Sequence, residues 1–214
     1  MKKFVNSFLR VYKEVKVLLW PLLGILAALL YWRLMVDRPT VYLQINRLHT
    51  AWGDRFFPLA THLGSVSAAV LISLLLVLIR RQMGFVMATA YMFTAVISFT
   101  LKFLVGYPRP YRYFFDRLHD LYLVPGVEVL DNLRSFPSGH SICAFTAATV
   151  LSYYARNKKF ALLYLFLALL VAYSRMYLNQ HFLEDVSAGA VVGVFFTMVW
   201  LSFFGEEKKT PRLG

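Results

Sequence analysis

The chain has 214 residues, 59% apolar and only 16% charged, with a mean hydropathy of +0.57. Soluble domains are about half apolar and about a quarter charged, so the composition argues for a membrane solvent and against an unusually large soluble core. A formal charge of +12 would suit nucleic acid in a soluble protein, but no basic stripe falls on a soluble domain. Basic loops beside anionic lipid heads account for it instead.

Taken in chain order, Lys2, Lys3, Arg10, Lys13 and Lys16 precede a first apolar run, 17–35. A crossing helix needs about 20 mainly apolar residues. This run is too long for a signal-peptide core of about 7–15 residues, so it predicts a first span and no cleavable leader. Residues 37–56 form a polar and aromatic connection, expected to hold a short interfacial helix around 41–52. Runs at 57–79 and 84–105 follow, separated by Arg80 and Arg81. The longest connection, 106–136, carries Pro108, Pro110 and Pro125 and predicts a second interfacial helix around 113–121. Runs at 141–155, 161–177 and 183–204 complete six predicted spans, all helical because lipid cannot satisfy open backbone groups. The expected fold is an all-α membrane protein. It has six transmembrane helices in a bundle, short interfacial helices in the outer loops, and one domain over 1–214.

Trp20, Trp32 and Trp200 fall near run ends, as interfacial anchors do. Gly189 and Gly193 give a small-residue spacing suited to close packing inside the bundle. Cys143 is the single cysteine, which excludes an intrachain disulfide; it reads as a small buried hydrophobe. The positive-inside rule places one set of loops in the cytoplasm. These carry the N-terminal basic residues, Arg80 and Arg81, then Arg156, Lys158 and Lys159, then Lys208, Lys209 and Arg212. Both termini are then cytoplasmic in a cytoplasmic membrane. The opposite loops also hold Arg109, Arg112, Arg117, Arg134 and Arg175, mixed with Asp116, Asp120, Glu128 and Asp131.

Three clusters place polar groups where apolar ones would be cheaper. Lys102 lies near the outer end of the third run, with Arg109 seven residues on between Pro108 and Pro110. A lysine there either snorkels to the interface or meets a counter-charge. Phe136-Pro137-Ser138-Gly139-His140-Ser141 forms a turn that opens an apolar helix. A helix N-terminus offers free amides and a positive dipole end to an anion, and Gly139 lets a ligand approach the backbone. Plain N-capping explains the serines but not His140. In the third cluster, Ser174-Arg175 is followed by His181 and Asp185. Four residues apart on one helix face, Asp185 can accept an N–H from His181 and fix its tautomer. Glu184 is a weaker candidate for that task, and a purely structural His–Asp pair is the bland alternative. All three clusters meet the outer membrane face. Gathered cations repel one another unless an anion is bound, so the pattern predicts an oxyanion site of phosphate type. His49, His62 and His119 match no motif; His119 is a candidate for lining the site.

The order Lys-x6-Arg-Pro, Pro-Ser-Gly-His, Ser-Arg-x5-His-x3-Asp resembles the signature of the type 2 phosphatidic acid phosphatase superfamily, in its membrane branch. Every element stands at the family spacing between Lys102 and Asp185. The resemblance implies a lipid phosphatase with no cofactor and no metal. Lys102, Arg109, Ser138, Gly139 and Arg175 would bind phosphate, His181 would attack phosphorus, Asp185 would orient His181, and His140 would serve as acid and then base. It implies a membrane-lipid substrate at the periplasmic or exterior face: undecaprenyl pyrophosphate, phosphatidylglycerol phosphate, phosphatidic acid or a lipid A phosphate. A lipid phosphotransferase using the same residues is one alternative. A phospholipid transporter is another, disfavoured because the later runs hold few charges at mid-depth. The expected partners are the bilayer and its lipid, with the chain a monomer or weak homo-oligomer and no nucleic acid bound.

Overall fold

The computed structural model describes residues 2–205; Lys208, Lys209 and Arg212, used in the orientation argument, lie outside the described residues. Helix α1 (Lys2–Met35) begins fifteen residues before the first apolar run. Val11, Val15, Leu18 and Leu22 are 1% exposed or less, an apolar stripe at helical spacing that continues beneath the charged residues. Lys13 and Lys16 stay outside. Buried Glu14 meets Lys158 at 3.0 Å, tying α1 to the connection at 155–159.

Asp37 caps α2 (Arg38–Asn46) by accepting the Thr40 N–H. Thr50 then caps α3 (Ala51–Ala60) through the Gly53 N–H. The single interfacial helix expected around 41–52 is therefore two elements, because Thr50 starts a new helix. The run expected as one helix at 57–79 is also broken. After α3 comes a 3-10 turn, Thr61–Gly64, and then α4 (Val66–Ile79), at a bend of 56°. Ser65 makes the break: its backbone is extended and its Oγ accepts the Ala68 N–H. The 3-10 turn packs tightly, since a Cβ on Gly64 would sit 2.6 Å from Val171 Cγ1 and 2.7 Å from the His140 carbonyl oxygen.

Helix α5 (Arg81–Val105) ends at Gly106, left-handed at φ 56°, a conformation glycine adopts without penalty. The connection that follows holds only the short α6 (Pro110–Tyr113) and a 3-10 turn at Phe115–Asp120, in place of the helix expected around 113–121. Helices α7 (Gly139–Tyr154), α8 (Phe160–Tyr177) and α9 (Leu183–Phe204) complete the bundle. Central α7 packs on α5, α8 and α9. A Cβ on Gly189 would meet Ser138 O at 2.9 Å, and one on Gly193 would meet Ile142 O at 2.8 Å, so these glycines let α9 lie against α7 within the bundle. Cys143 is half-buried against the core, not fully inside it.

Among the described residues α1, α5, α8 and α9 are long and apolar enough to cross a membrane, and the bent α3–α4 pair makes a fifth candidate. At 16 residues, α7 is shorter than a usual span. Large apolar side chains face outward; Leu78 and Phe103 are 83% and 88% exposed, which suits lipid and not water.

Candidate active site

The three motif clusters converge at one end of the bundle. Lys102, in the last turn of α5, does not simply snorkel. Its Nζ donates to Arg134 O at 2.8 Å and Pro137 O at 2.7 Å, fastening α5 to the turn before α7. Arg109 is held from three sides. Its N–H donates to Asn132 O at 3.1 Å, its Nε to Asn132 Oδ1 at 3.0 Å and its Nη1 to Gln180 O at 2.7 Å. Arg175, in the last turn of α8, donates from Nη1 to Thr61 Oγ1 at 2.8 Å, while its buried Nε has no partner among the described residues.

Ser138 does cap α7: its Oγ accepts the Ser141 N–H at 3.4 Å and the Ser141 hydroxyl at 3.0 Å. Its own N–H donates to Asp185 O at 3.0 Å, which locks the turn onto α9. The first-turn amides of Gly139 and His140 remain, as at any helix start, without intrahelical partners. A Cβ on Gly139 would find nothing nearer than Ser98 Oγ at 3.9 Å, so this turn is loosely packed on that side. The half-buried His140 ring lies within electrostatic range of Arg175, His181, Arg109 and His62.

His181 sits in the loop between α8 and α9, which Asn179 shapes with a left-handed φ of 58°. Asparagine tolerates that conformation better than most residues, and here its side chain is fixed by Tyr42, Asn46 and the Tyr122 carbonyl. His181 Nε2 is 3.3 Å from Arg109 Nη1. Arginine only donates hydrogen bonds, so Nε2 presents its lone pair and the ring proton resides on Nδ1. Burial pushes the His181 imidazole down to about 3, so the ring is neutral at pH 7.

Nδ1 faces Asp185 Oδ2 at 3.4 Å, longer than a good hydrogen bond. Asp185 is fully buried, and the same Oδ2 accepts the Ser135 hydroxyl at 2.5 Å and the Phe182 N–H at 2.8 Å. The Phe182 bond also caps α9, so one carboxylate starts the helix and faces the histidine.

The remaining candidates separate from the site. His119 is 80% exposed and lies 3.5 Å from Asp120, so it does not line the cluster. Glu184 pairs with Arg33 and Arg38 instead of His181. His49 packs between the Tyr122 and Tyr177 rings, with Nε2 2.9 Å from Tyr177 O. Asn132, Ser135, Thr61 and Arg38 support the motif side chains without belonging to any motif. Only the fold brings them there: Thr61 and Arg175 are 114 residues apart, and Arg38 and Asp185 are farther apart still. Among the described residues no three His, Cys, Asp or Glu side chains gather as a metal-ligand group.

Buried guanidinium groups, a neutral imidazole backed by a carboxylate, and a helix N-terminus with free amides suit a bound oxyanion. A helical bundle carrying this site at one end defines a class of multi-pass membrane protein with a site for an oxyanion. The chain belongs to the PAP2 superfamily, whose family model matches residues 81–209. It is 30% identical over 135 residues to the undecaprenyl-diphosphatase of Sulfolobus acidocaldarius, covering 62% of each chain; it thus spans less than two thirds of that relative. It is 27% identical over 177 residues to the lipid A 4'-phosphatase of Bacteroides thetaiotaomicron, covering 78% of this chain and 76% of that one. Among solved structures it resembles LpxE of Aquifex aeolicus, with a TM-score of 0.67 at 29% identity over 78% of this chain and 95% of that one.

Proposed function

We propose that the chain hydrolyses a lipid phosphate or pyrophosphate at the outer membrane interface through a phosphohistidine on His181, without a metal. The single observation that carries this reading is the placing of His181 between Arg109, 3.3 Å from Nε2, and Asp185, 3.4 Å from Nδ1. A neutral ring with its lone pair aimed at a guanidinium is ready to attack phosphorus held by that guanidinium. Lys102, Arg109, Arg175 and the amides at Gly139, in the turn that Ser138 fixes, would neutralise the phosphoryl oxygens, which is most of what phosphoryl transfer needs.

In the first step Nε2 forms a bond to phosphorus as the bond to the leaving oxygen breaks, and His140 gives that oxygen a proton. The ring becomes cationic, and Asp185 stabilises it. In the second step His140 takes a proton from water, the hydroxide attacks phosphorus, and the P–N bond breaks to return neutral His181 and phosphate. One histidine thereby serves as acid and then base.

The relatives' names support this substrate class. Undecaprenyl pyrophosphate is the leading candidate, with a lipid A phosphate next. A headgroup reaches the site while its tails remain in lipid. In this reading residues 1–214 form one domain of six spans, counting bent α3–α4 as one and short α7 as the central span. Both termini lie in the cytoplasm and the site faces the exterior of a cytoplasmic membrane. Phosphate release from undecaprenyl pyrophosphate by purified protein in detergent with EDTA tests this. Sustained release without acceptor lipid is expected, inhibited by vanadate. Activity lost on chelation and restored by Mg²⁺, or release only with an acceptor lipid, would contradict it.

A further inference from the structure

Asp185 is unevenly satisfied. Oδ2 takes the Ser135 hydroxyl, the Phe182 N–H and the contact with His181, whereas Oδ1 is buried and accepts no hydrogen bond among the described residues. A bare oxygen on a buried carboxylate is costly unless a cation stands near. Arg38 Nη2 stands 3.7 Å from it. The guanidinium lies 4.1 Å from the Tyr107 ring centre and 3.9 Å from that of Phe182, a cation–π setting that either basic side chain can occupy. Its side chain is 14% exposed. Glu184 faces Arg38 Nε at 3.5 Å and is itself held by Arg33, so α1, α2 and the start of α9 meet around this one cation.

We infer that Arg38 is a positioning residue for the reaction, holding Asp185 anionic and fixed so that Asp185 keeps the proton on His181 Nδ1 and stabilises the cationic ring. This rests on the proposed nucleophilic role of His181. Arg38 does not touch the reacting atoms; it acts through the carboxylate. The charged and titratable groups around Asp185 are Arg38 from α2, Lys102 from α5, Arg109 and His181 from the loops, and neighbouring Glu184 on α9. Of these cations, Arg38 is the one that the motifs leave without a task.

The test compares Arg38→Met, which keeps an apolar side chain on the two rings and drops the charge, with Arg38→Lys, which keeps the charge. Both are assayed on the full chain in detergent, with His181→Ala in parallel. Removing a partner that orients a reacting group typically costs about 10- to 100-fold. For Arg38→Met a fall of about that size is expected in kcat, with KM changed less than about twofold. A carboxylate that loses a nearby cation takes up a proton more readily, so the acid limb of its kcat/KM profile should move to higher pH. Arg38→Lys should recover most of kcat and the original acid limb. A purely structural Arg38 would leave the pH profile unmoved, and Lys would then rescue no better than Met; either result overturns the inference. If Arg38→Met is not monodisperse, Arg38→Lys decides alone. An unmoved acid limb with most of kcat retained supports the inference, and a fall of about 10-fold or more overturns it. Activity in His181→Ala would sink the functional reading instead, whatever Arg38 does.

Discussion

Arg109 Nη1 donates to the Gln180 carbonyl at 2.7 Å and also lies 3.3 Å from His181 Nε2. One guanidinium nitrogen thus fixes the backbone just before the histidine and faces the histidine's lone pair. Nε of the same group is tied to Asn132, so the fork is oriented before any ligand arrives. Such preorganisation is worth most where charge develops in a transition state.

Arg109→Lys should therefore be far from conservative. An ammonium keeps the charge, but a single nitrogen cannot serve Asn132, Gln180 and a phosphoryl oxygen together. Loss of one preorganised donor typically costs about 10²- to 10³-fold. Steady-state kinetics should give a kcat/KM about 10²-fold below wild type, with the melting temperature within a few degrees.

Ser135→Ala removes the hydroxyl that Asp185 Oδ2 accepts at 2.5 Å. Hydrogen bonds to charged groups are worth about 1.5–3 kcal/mol, so kcat should fall by about tenfold or more. The fully buried methyl leaves no clash. Kinetics beside a thermal melt check this, with the loss expected in kcat more than in KM.

The motif spacing in the sequence singled out Lys102, Arg109, His140, Arg175, His181 and Asp185 as candidates, because each motif is local and its residue types are expensive in a membrane. The supporting groups were not legible. Ser135, Asn132 and Thr61 are ordinary polar residues whose partners lie far along the chain, and Arg38 stands well before the first motif. Helix limits failed for similar reasons. The start of α1 is hidden by lysines lying over a buried apolar stripe, and the break at Ser65 is only a short polar dip inside a long apolar run. The Gly189 spacing was legible as close packing, because only a missing side chain lets two backbones meet.

Gly189→Ala should destabilise the protein, since the new Cβ would sit 2.8 Å from Ser141 Cβ and 2.9 Å from the Ser138 carbonyl. Overpacking typically costs about 1–3 kcal/mol, and here it also pushes on the turn beside His140. Gly24→Ala, with nothing within 4 Å of its new Cβ, should be neutral or slightly stabilising. Half-lives at elevated temperature in detergent compare the two.

Acid should weaken the fold through His181. Folded, this histidine resists protonation until about 3; unfolded, it protonates near its ordinary 6.5. Below about 6.5 the unfolded chain binds more protons, so this contribution to stability is intact above that pH and is lost progressively as pH falls towards 3. His181→Gln cannot titrate. Its melting temperature should fall less than wild type between pH 7.5 and pH 5, and an equal or steeper fall would contradict this assignment.

The most direct measurement of the central claim is phosphate release by purified wild type and His181→Ala, in detergent with EDTA, across a panel of lipid monophosphates and pyrophosphates. Wild type should release phosphate from at least one lipid, and His181→Ala should be slower on it by at least about 10³-fold while eluting and melting like wild type. Near-normal release by His181→Ala would contradict the account.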